Sequence, residues 1–296
     1  MIPTRNRCAD LQATCQRLVE LQPQPNEVLI CADGCNDGTA EMLRADFPRF
    51  RFIENQPATG SVEARNRLLI MATGDIVVSL DDDSYPVDKD FIGKLTAAFD
   101  AHPEAAVITF PQVRNPEYST AARSGHFVSA YANCAAAMRR EVYFRTSGYP
   151  GFFFHGYEEP DFALQCYAAG YGVWFEPSLP VRHHLSAANR SAFLFHQSNA
   201  RNELWSVWLR CPLPWLPLVS LYRVWRQFRY SVRQGWSWAL QEPRWWLAAF
   251  CGLGACYRAR RPLPWRVYYS WMRLAREPIY TMAELRAKFS ATADIL

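Results

Sequence analysis

The sequence predicts an α/β protein in which a mostly parallel sheet is flanked by helices and followed by an amphipathic helical C-terminal region. Short apolar runs alternate with helical periodicity over the first 110 residues, as in parallel sheets covered by helices. One such run, residues 76–80, ends abruptly in three carboxylates. The chain also changes character near residue 200, so we place a domain boundary between residues 1–200 and 201–296.

The predicted elements follow in chain order. A helix begins at Asp10 and ends before Pro23, and it is followed by strand 27–32, helix 39–48, strand 51–54, helix 61–72, strand 74–80, helix 88–102 and strand 105–110. The pattern is less regular over residues 111–157. Helix 162–169, strand 171–176 and the segment VRHHLS (181–186) come next, and the helices 191–209 and 219–238 are separated by CPLPWLP.

The two parts of the chain have opposite charge. Residues 201–296 contain 15 Arg and Lys against 5 Asp and Glu, whereas residues 1–200 contain 17 against 23, and ten of the eleven tryptophans follow residue 200. Basic amphipathic helices with tryptophan lie in the headgroup plane of anionic membranes. Nucleic-acid binding is a competing interpretation, but the many bulky apolar residues disfavour it. A third interpretation is that these helices pack back on the first domain.

Cysteine usage and the absence of membrane signals indicate the compartment. Nine cysteines occur without a CxxC pair, which favours a reducing compartment and disfavours a disulfide framework or a zinc site. The opening MIPTRNR has no apolar signal-peptide region, and the longest nearly uninterrupted apolar stretch, 245–257, is too short to span a bilayer. We expect a cytoplasmic protein, peripheral to the inner face of the cell membrane.

Three adjacent carboxylates, Asp81, Asp82 and Asp83, follow the strand at 76–80. Open α/β sheets bind ligands just past the carboxyl ends of their strands. Adjacent acids repel one another, which favours a cation between them, and carboxylate oxygens suit Mg²⁺ or Mn²⁺. The alternative is an acidic turn that leads into the next helix, for which Asp88 is a candidate N-cap.

Seven short motifs occur in the order and spacing of glycosyltransferase family 2, which the sequence resembles over residues 1–200. They are IPTRNR (2–7), EVLICADGCNDGT (27–39), GSVEARN (60–66), SLDDDSYP (79–86), RREV (139–142), GYEEPD (156–161) and VRHH (181–184). The resemblance implies a GT-A fold, which is Rossmann-like without a GxGxxG loop. It also implies transfer of a sugar from a nucleotide-diphospho-sugar to an acceptor hydroxyl, with inversion. Residues 1–200 would form the catalytic domain and residues 201–296 a membrane-associating region.

The resemblance also implies nucleotide-binding residues. Pro3, Thr4 and Asp33 would hold the base, and Arg65 would reach the nucleotide or its phosphates. From the residues alone, Asp33 could instead begin an Asx-turn, and Arg65 could be an ordinary helix-face arginine.

The triple acid matches the family's DxD motif at Asp81 and Asp83. A nucleoside diphosphate is a poor leaving group unless its growing charge is neutralised. Asp83 is the candidate direct metal ligand, and Asp81 and Asp82 would act through water or the ribose. Neighbouring histidines at a sheet edge point to opposite faces, so one of the VRHH pair can reach the metal or diphosphate, and we favour His183.

The reaction also needs a base for the acceptor hydroxyl. Glu158 and Glu159 precede a predicted helix and follow aromatic residues 152–154 and Tyr157, and a partly desolvated carboxylate there can take a proton. The resemblance implies that Glu159 is the base and that Asp161 shapes the site. The alternative is that both glutamates only favour the helix dipole.

The sequence departs from the family in two ways. The chain begins at Met1, so the β-branched residues that usually precede the IPT motif are nearly absent; either the first strand is truncated or the true start lies upstream. There is no QxxRW motif, which favours addition of one sugar over processive synthesis. We expect a hexosyl- or deoxyhexosyltransferase of cell-surface polysaccharide or lipid-linked glycan synthesis. The alternatives are an inactive membrane-associated scaffold, a nucleotide-binding protein and a nucleotidyltransferase.

Overall fold

The computed structural model describes residues 1–114, 124–184 and 191–289, so the last two residues of VRHHLS lie outside the described ranges. The strands are β1 (Ile2–Thr4), β2 (Leu29–Asp33), β3 (Arg51–Asn55), β4 (Ile76–Ser79), β5 (Ser84–Pro86), β6 (Ala105–Thr109), β7 (Gln112–Val113), β8 (His126–Phe127), β9 (Ala136–Arg139), β10 (Gly172–Phe175) and β11 (Val181–His183).

The helices of the described ranges are α1 (Cys8–Leu18), α2 (Thr39–Asp46), α3 (Ser61–Met71), α4 (Phe91–Ala101), α5 (Arg140–Phe144), α6 (Glu158–Ala168), α7 (Ala192–Arg210), α8 (Leu216–Gln234), α9 (Trp236–Ala239), α10 (Glu242–Cys251), α11 (Leu253–Ala259), α12 (Trp265–Leu274) and α13 (Met282–Phe289). Short 3₁₀ helices lie at Asn133–Ala135 and Gly151–Phe153. The alternation of strands and helices predicted for the first 110 residues is confirmed.

The N-terminal strands form a parallel sheet in the order β1-β2-β3. The short β1 pairs with β2 along its whole length, with Ile2 opposite Ile30. Met1 connects this sheet to β4, because its ammonium group donates to the Val78 carbonyl at 2.7 Å and its carbonyl accepts from the Leu80 amide at 3.1 Å. The acidic segment after β4 therefore lies beside the end of β1.

The second sheet has the order β4-β9-β6-β10-β8. Strands β6 and β10 are parallel, but β9 runs antiparallel to both β4 and β6. The sheet predicted to be mostly parallel therefore has an antiparallel strand at β9. A parallel neighbour requires a crossover connection, usually a helix, and the described part of residues 111–135 contains no α-helix. The fold is α/β with a mixed sheet.

Apolar side chains of strands and helices form one continuous core. The fully buried residues include Ile30 of β2, Leu68 of α3, Val107 of β6, Met138 of β9 and Phe162 of α6. Burying each such side chain contributes roughly 1.5–3 kcal/mol. The core thereby holds β4 and α6, which carry the acidic motifs, in a fixed relation.

Two local features differ from the sequence expectation. The chain leaves β4 and enters β5, which belongs to a small sheet of order β5-β11-β7 and lies antiparallel to β11. This small sheet places His183 opposite Ser84. Helix α6 begins at Glu158 rather than at residue 162, so Glu158 and Glu159 lie within its first turn rather than before it.

Part of the C-terminal region packs on the first domain. Helix α7 extends across position 200, the predicted domain boundary. The Trp271 indole of α12 donates to the Ser129 carbonyl at 2.7 Å, and Phe127 of β8 forms a bridge with Ile279. These contacts match the interpretation in which C-terminal helices pack back on the catalytic domain.

Helix α8 reverses the usual amphipathic arrangement, in which the apolar face is buried. Its buried residues include Arg223 and Ser231, whereas Leu221 is 68% exposed. On α8 the exposed apolar residues follow the helical spacing, and further exposed apolar residues occur from α9 to α11. We call this set of exposed side chains the outer face, and it consists of Leu218, Leu221, Tyr222, Trp225, Trp236, Leu240, Leu247, Phe250, Leu253 and Tyr257. Among the described helices, none has both the length and the hydropathy needed to cross a bilayer.

Candidate active site

Asp82, the middle residue of the acidic triplet, points into the protein. Its carboxylate accepts hydrogen bonds from the Thr4 hydroxyl at 2.9 Å and from Arg7 Nη1 at 2.5 Å. Burial raises the pKa of Asp82 to about 6, although the Arg7 guanidinium opposes this shift. The Thr14 hydroxyl donates to the Asp82 backbone carbonyl at 2.8 Å. Asp82 therefore attaches the acidic turn to β1 and α1.

Asp83 faces His183. The Asp83 side chain is buried, and its Oδ1 lies 3.1 Å from His183 Nε2. His183 Nδ1 lies 3.0 Å from Gln112 Oε1; because an amide oxygen only accepts, Nδ1 carries a proton, and in the neutral imidazole Nε2 then carries a lone pair. A buried Nε2 without a hydrogen bond in the described part of the chain, beside a carboxylate oxygen, is a donor pair suited to a cation. His184 turns away to the Tyr85 hydroxyl, so His183 is the histidine of the pair that lies next to Asp83.

Asp81 adds an oxygen donor to this group. Asp81, Cys134 and His183 can place one ligand atom each within 4.8 Å of one another. Burial raises the pKa of the Cys134 thiol above its ordinary value, so the thiol stays protonated. Hard cations prefer oxygen ligands and accept imidazole in some sites. Asp81 and His183 of this group, together with Asp83, which lies beside His183, are therefore the residues that could hold Mg²⁺ or Mn²⁺.

Arg65 joins this acidic turn to the start of α6. The arginine is buried on α3, and its Nη2 donates to Asp81 Oδ1 at 2.5 Å. Its Nη1 lies 3.9 Å from Glu158 Oε1. One guanidinium thus contacts both acidic clusters, so the two clusters lie in one site.

Glu159 lies in the first turn of α6, next to Glu158. The Asn133 backbone amide donates to Glu159 Oε1 at 3.3 Å, and the Asn133 side-chain amide donates to Glu158 Oε1 at 3.1 Å. Burial and the neighbouring Glu158 carboxylate raise the pKa of Glu159 to about 8, against Arg65 and the Asn133 amide. A carboxyl group with such a pKa can bind and release a proton near neutral pH.

Asp161 is fully buried between α6 and α7. Arg210 binds it through two nitrogens, with Nε 3.1 Å from Oδ1 and Nη2 2.9 Å from Oδ2. The Ser206 hydroxyl and the Gln165 amide donate to the same carboxylate at 2.7 and 2.8 Å. These four bonds occupy the carboxylate within the helix interface, so Asp161 holds α6 against α7.

The residues expected to hold the base lie on neighbouring strands. In the β1–β2 register, Pro3 is opposite Cys31 and Thr4 is opposite Ala32, which precedes Asp33. The Asp33 carboxylate accepts from the Thr59 and Gly60 amides, both at 2.8 Å. Burial raises the pKa of Asp33, but these hydrogen bonds outweigh it and lower the pKa below its ordinary value. Asp33 therefore stays ionised and holds the loop that leads into α3.

Several site residues escaped the sequence analysis. Arg7 stands at the end of IPTRNR, and its contacts with Asp82 and Asp83 span more than 70 positions. Gln112 and Asn133 belong to the irregular stretch 111–157, which carries no periodic pattern. The arginine of RNR was the one available signal. A basic residue in one motif can pair with the carboxylates of another motif, although the sequence does not say which residues meet.

Comparison with known proteins supports the predicted fold. The mannosyltransferase PcManGT from Pyrobaculum calidifontis, in complex with GDP-Man and Mn²⁺, is 19% identical over 88% of this chain and 74% of its own, with a TM-score of 0.57. S. aureus TarS 1-349 in complex with UDP-GlcNAc is 17% identical over 97% of this chain and 86% of its own, with a TM-score of 0.58.

A third structure, GalNAc-T7 with UDP, GalNAc and Mn²⁺, is 14% identical over 70% of this chain and 47% of its own, with a TM-score of 0.57. At these identities the likeness shows a shared fold, and the predicted GT-A fold is confirmed. A sequence search of curated proteins found no match.

The family assignment comes from the sequence itself. The model of the family described as Glycosyl transferase family 2 matches residues 1–161, more than half of the 296 residues. The matched segment includes β1, the acidic turn and the first turn of α6, which the structure brings together around Arg65. This chain belongs to glycosyltransferase family 2.

Proposed function

We propose that this glycosyltransferase moves one hexosyl or deoxyhexosyl unit from a nucleotide-diphospho-sugar to an acceptor hydroxyl, with inversion. The observation that carries the proposal is the position of Arg65, which is 2.5 Å from Asp81 and 3.9 Å from Glu158. Inverting transfer needs a site for the departing diphosphate and a base for the attacking hydroxyl. Here both groups of residues surround one guanidinium.

The donor side of the site consists of the strand ends. Pro3, Thr4 and Asp33 would hold the nucleotide base, as the family resemblance implies, and Arg65 would contact the diphosphate. The solved structures of similar fold contain GDP-Man, UDP and UDP-GlcNAc, which supports a nucleotide-sugar donor. Asp82, bound by Thr4 and Arg7, would keep the acidic turn next to the bound nucleotide.

We assign Asp81, Asp83 and His183 as the residues that hold Mg²⁺ or Mn²⁺. PcManGT and GalNAc-T7 were both solved with Mn²⁺. When bound, such a cation supplies positive charge that neutralises the departing diphosphate. The protein's own part is to keep three ligand side chains in place, which it does through the Arg65–Asp81 pair and the Gln112–His183 hydrogen bond.

Glu159 is the proposed general base. It takes the proton of the acceptor hydroxyl while the hydroxyl oxygen forms a bond to the anomeric carbon. The bond between that carbon and the diphosphate oxygen breaks at the same time, and the nucleoside diphosphate leaves with the electron pair. Asp161 positions α6, and therefore Glu159, through its contacts with Arg210 and Ser206.

The composition of the outer face supports an acceptor held at a membrane surface. Residues 211–261 contain eight arginines and one acidic residue, Glu242, which is fully buried. Exposed tryptophan, leucine and arginine side chains suit an anionic bilayer more than a nucleic acid. All nine cysteines fall in the described ranges and are free thiols, which supports the cytoplasmic side. We therefore propose a lipid-linked or nascent cell-surface glycan as acceptor.

A nucleotide panel tests this function. We expect one nucleoside diphosphate to raise the thermal midpoint of the full chain when Mn²⁺ is present, and its sugar conjugate to be turned over. The Asp83→Asn variant should lose the Mn²⁺-dependent stabilisation, whereas Asp100→Asn, at an exposed acid on α4, should keep it. Absence of stabilisation by every nucleotide would instead favour a catalytically inactive membrane scaffold.

A further inference from the structure

Glu203 of α7 is a buried carboxylate that joins α8 to the active-site loop. The residue is 1% exposed. It accepts hydrogen bonds from the Tyr157 hydroxyl at 3.1 Å, Arg223 Nη1 at 3.0 Å and Gln227 Nε2 at 2.5 Å, and it also pairs with Arg226. Three of these four donors belong to α8. The fourth, Tyr157, directly precedes Glu158.

Helix α7 holds much of the loop before α6, and α3 also contacts this loop, because the Val62 amide donates to the Phe154 carbonyl at 3.3 Å and Ser61 Oγ lies 2.9 Å from His155 Nδ1. The Asn202 side-chain amide donates to the carbonyls of Phe153, His155 and Gly156 at 3.1, 2.9 and 2.7 Å. Tyr157 has a left-handed backbone with φ of 68°, a conformation that surrounding contacts must maintain in an aromatic residue. The hydrogen bond from the Tyr157 hydroxyl to Glu203 is one of these contacts. Tyr157 lies two residues before Glu159 in the sequence.

Helix α8 cannot easily move independently of Glu203. A buried carboxylate that loses its guanidinium partners becomes an uncompensated charge, which is strongly disfavoured. Arg223 is buried with Glu203, whereas the Arg226 side chain is 45% exposed. The inner face of α8 is thus linked through Glu203 to Tyr157, which directly precedes the helix that carries Glu159, while the opposite side of α8 contributes to the outer face.

We infer that docking of α8 on an anionic bilayer is transmitted through Glu203 and Tyr157 to the first turn of α6, so that membrane contact orders the position of Glu159. Glu203 and Tyr157 are positioning residues in this scheme. A helix whose outer face is embedded fluctuates less, and this restraint passes to the groups bonded to its inner face. The inference rests on the membrane part of the proposed function.

Hydrogen exchange of the full chain tests the coupling without depending on the unknown acceptor. We expect vesicles of phosphatidylcholine and phosphatidylglycerol to slow amide exchange over residues 153–162 by about threefold or more, and pure phosphatidylcholine vesicles to have little effect. The Tyr157→Phe variant removes one hydroxyl; it should still sediment with anionic vesicles but lose this protection. Tyr171→Phe, whose hydroxyl accepts from Arg145 instead, should respond as the wild type does.

The outcomes separate the two claims. Failure of the wild type to sediment with anionic vesicles overturns the membrane part of the proposed function and the coupling together. Sedimentation with unchanged exchange over residues 153–162, or equal protection in Tyr157→Phe, overturns the coupling alone. If Tyr157→Phe does not fold, Gln227→Ala removes one α8 donor from Glu203 and should reduce the protection in the same way. Mn²⁺-dependent nucleotide binding, measured in parallel, reports on the donor site independently.

Discussion

His183 Nε2 lies 3.1 Å from Asp83 Oδ1, although the two residues are a hundred positions apart in the sequence. The antiparallel pairing of β5 with β11 creates this contact, because it places His183 opposite Ser84. Gln112, at the start of β7, completes the arrangement by accepting a hydrogen bond from the other ring nitrogen. The candidate metal site is thus assembled by the small sheet β5-β11-β7.

Removing the Gln112 acceptor should weaken metal binding. In Gln112→Ala the His183 ring can adopt the other tautomer, which would direct an N–H group toward Asp83, and losses of about 10–100-fold in metal affinity are typical of such changes. Titration of Mn²⁺ by electron paramagnetic resonance, with a nucleoside diphosphate present, measures the dissociation constant. Gln241→Ala, at the residue that precedes α10, is the control. An unchanged constant in Gln112→Ala would contradict the assignment.

Two isosteric substitutions should separate binding from chemistry. Glu159→Gln and Asp83→Asn should each reduce transfer, by about 10²–10⁴-fold for the loss of the base. Only Asp83→Asn should also weaken Mn²⁺-dependent nucleotide binding, because Glu159 does not contact the acidic turn directly. Initial rates of nucleotide release and nucleotide titrations supply both measurements. Glu41→Gln, at an exposed residue, is the control and should keep the wild-type rate. Turnover near the wild-type rate in Glu159→Gln or Asp83→Asn would count against the mechanism.

The pH dependence of transfer should follow Glu159. Burial and the Glu158 carboxylate raise the pKa of Glu159 to about 8, and a base acts only when deprotonated, so kcat/KM should rise between roughly pH 6 and pH 9 and then level off. In Glu158→Gln the neighbouring negative charge is absent, so the pKa of Glu159 falls and the midpoint of the profile moves to lower pH. A midpoint that stays in place would show that another group controls the rate.

The buried pair of Asp161 and Arg210 should control stability more than chemistry. Arg210→Met leaves an uncompensated buried carboxylate, and breaking such pairs typically costs about 3–5 kcal/mol in the free energy of unfolding. Urea unfolding measures this loss, and Arg17→Met, which removes a surface ion pair with Glu20, should have little effect. If Arg210→Met lowers transfer without changing stability, then Asp161 acts on the reactants after all.

The outer face should determine vesicle binding. Leu221→Glu places a charge on a side chain that is 68% exposed in the folded protein, so folding should be retained. Binding to anionic vesicles should weaken by about tenfold or more, since burying a leucine side chain is worth about 1.5–3 kcal/mol. Ile70→Glu is a matched control, because Ile70 is 64% exposed on α3, outside this face. Equal binding by both variants would show that α8 does not enter the bilayer.

The sequence pattern anticipated the edge of the sheet at which the acids lie. The apolar run of β4 and the carboxylates after it are local features, and they indicate a ligand-binding strand end without knowledge of the partner strands. Which partners each acid takes was not readable, because three consecutive aspartates look equivalent in the sequence. The packing of Thr4 and Arg7 on Asp82 distinguishes them.

By itself, the sequence determined the alternating helices and strands of the first 110 residues, the chemistry of the acidic motifs and the basic, tryptophan-rich character of the C-terminal part. These properties depend on residue type and short-range periodicity. The tertiary structure alone decided the antiparallel course of β9, the burial of Asp161 and the outward orientation of the apolar side of α8. Each of those depends on contacts between distant segments, such as Asp161 with Arg210 or Glu203 with Tyr157, and such contacts exist only once the sheet register and helix packing are formed.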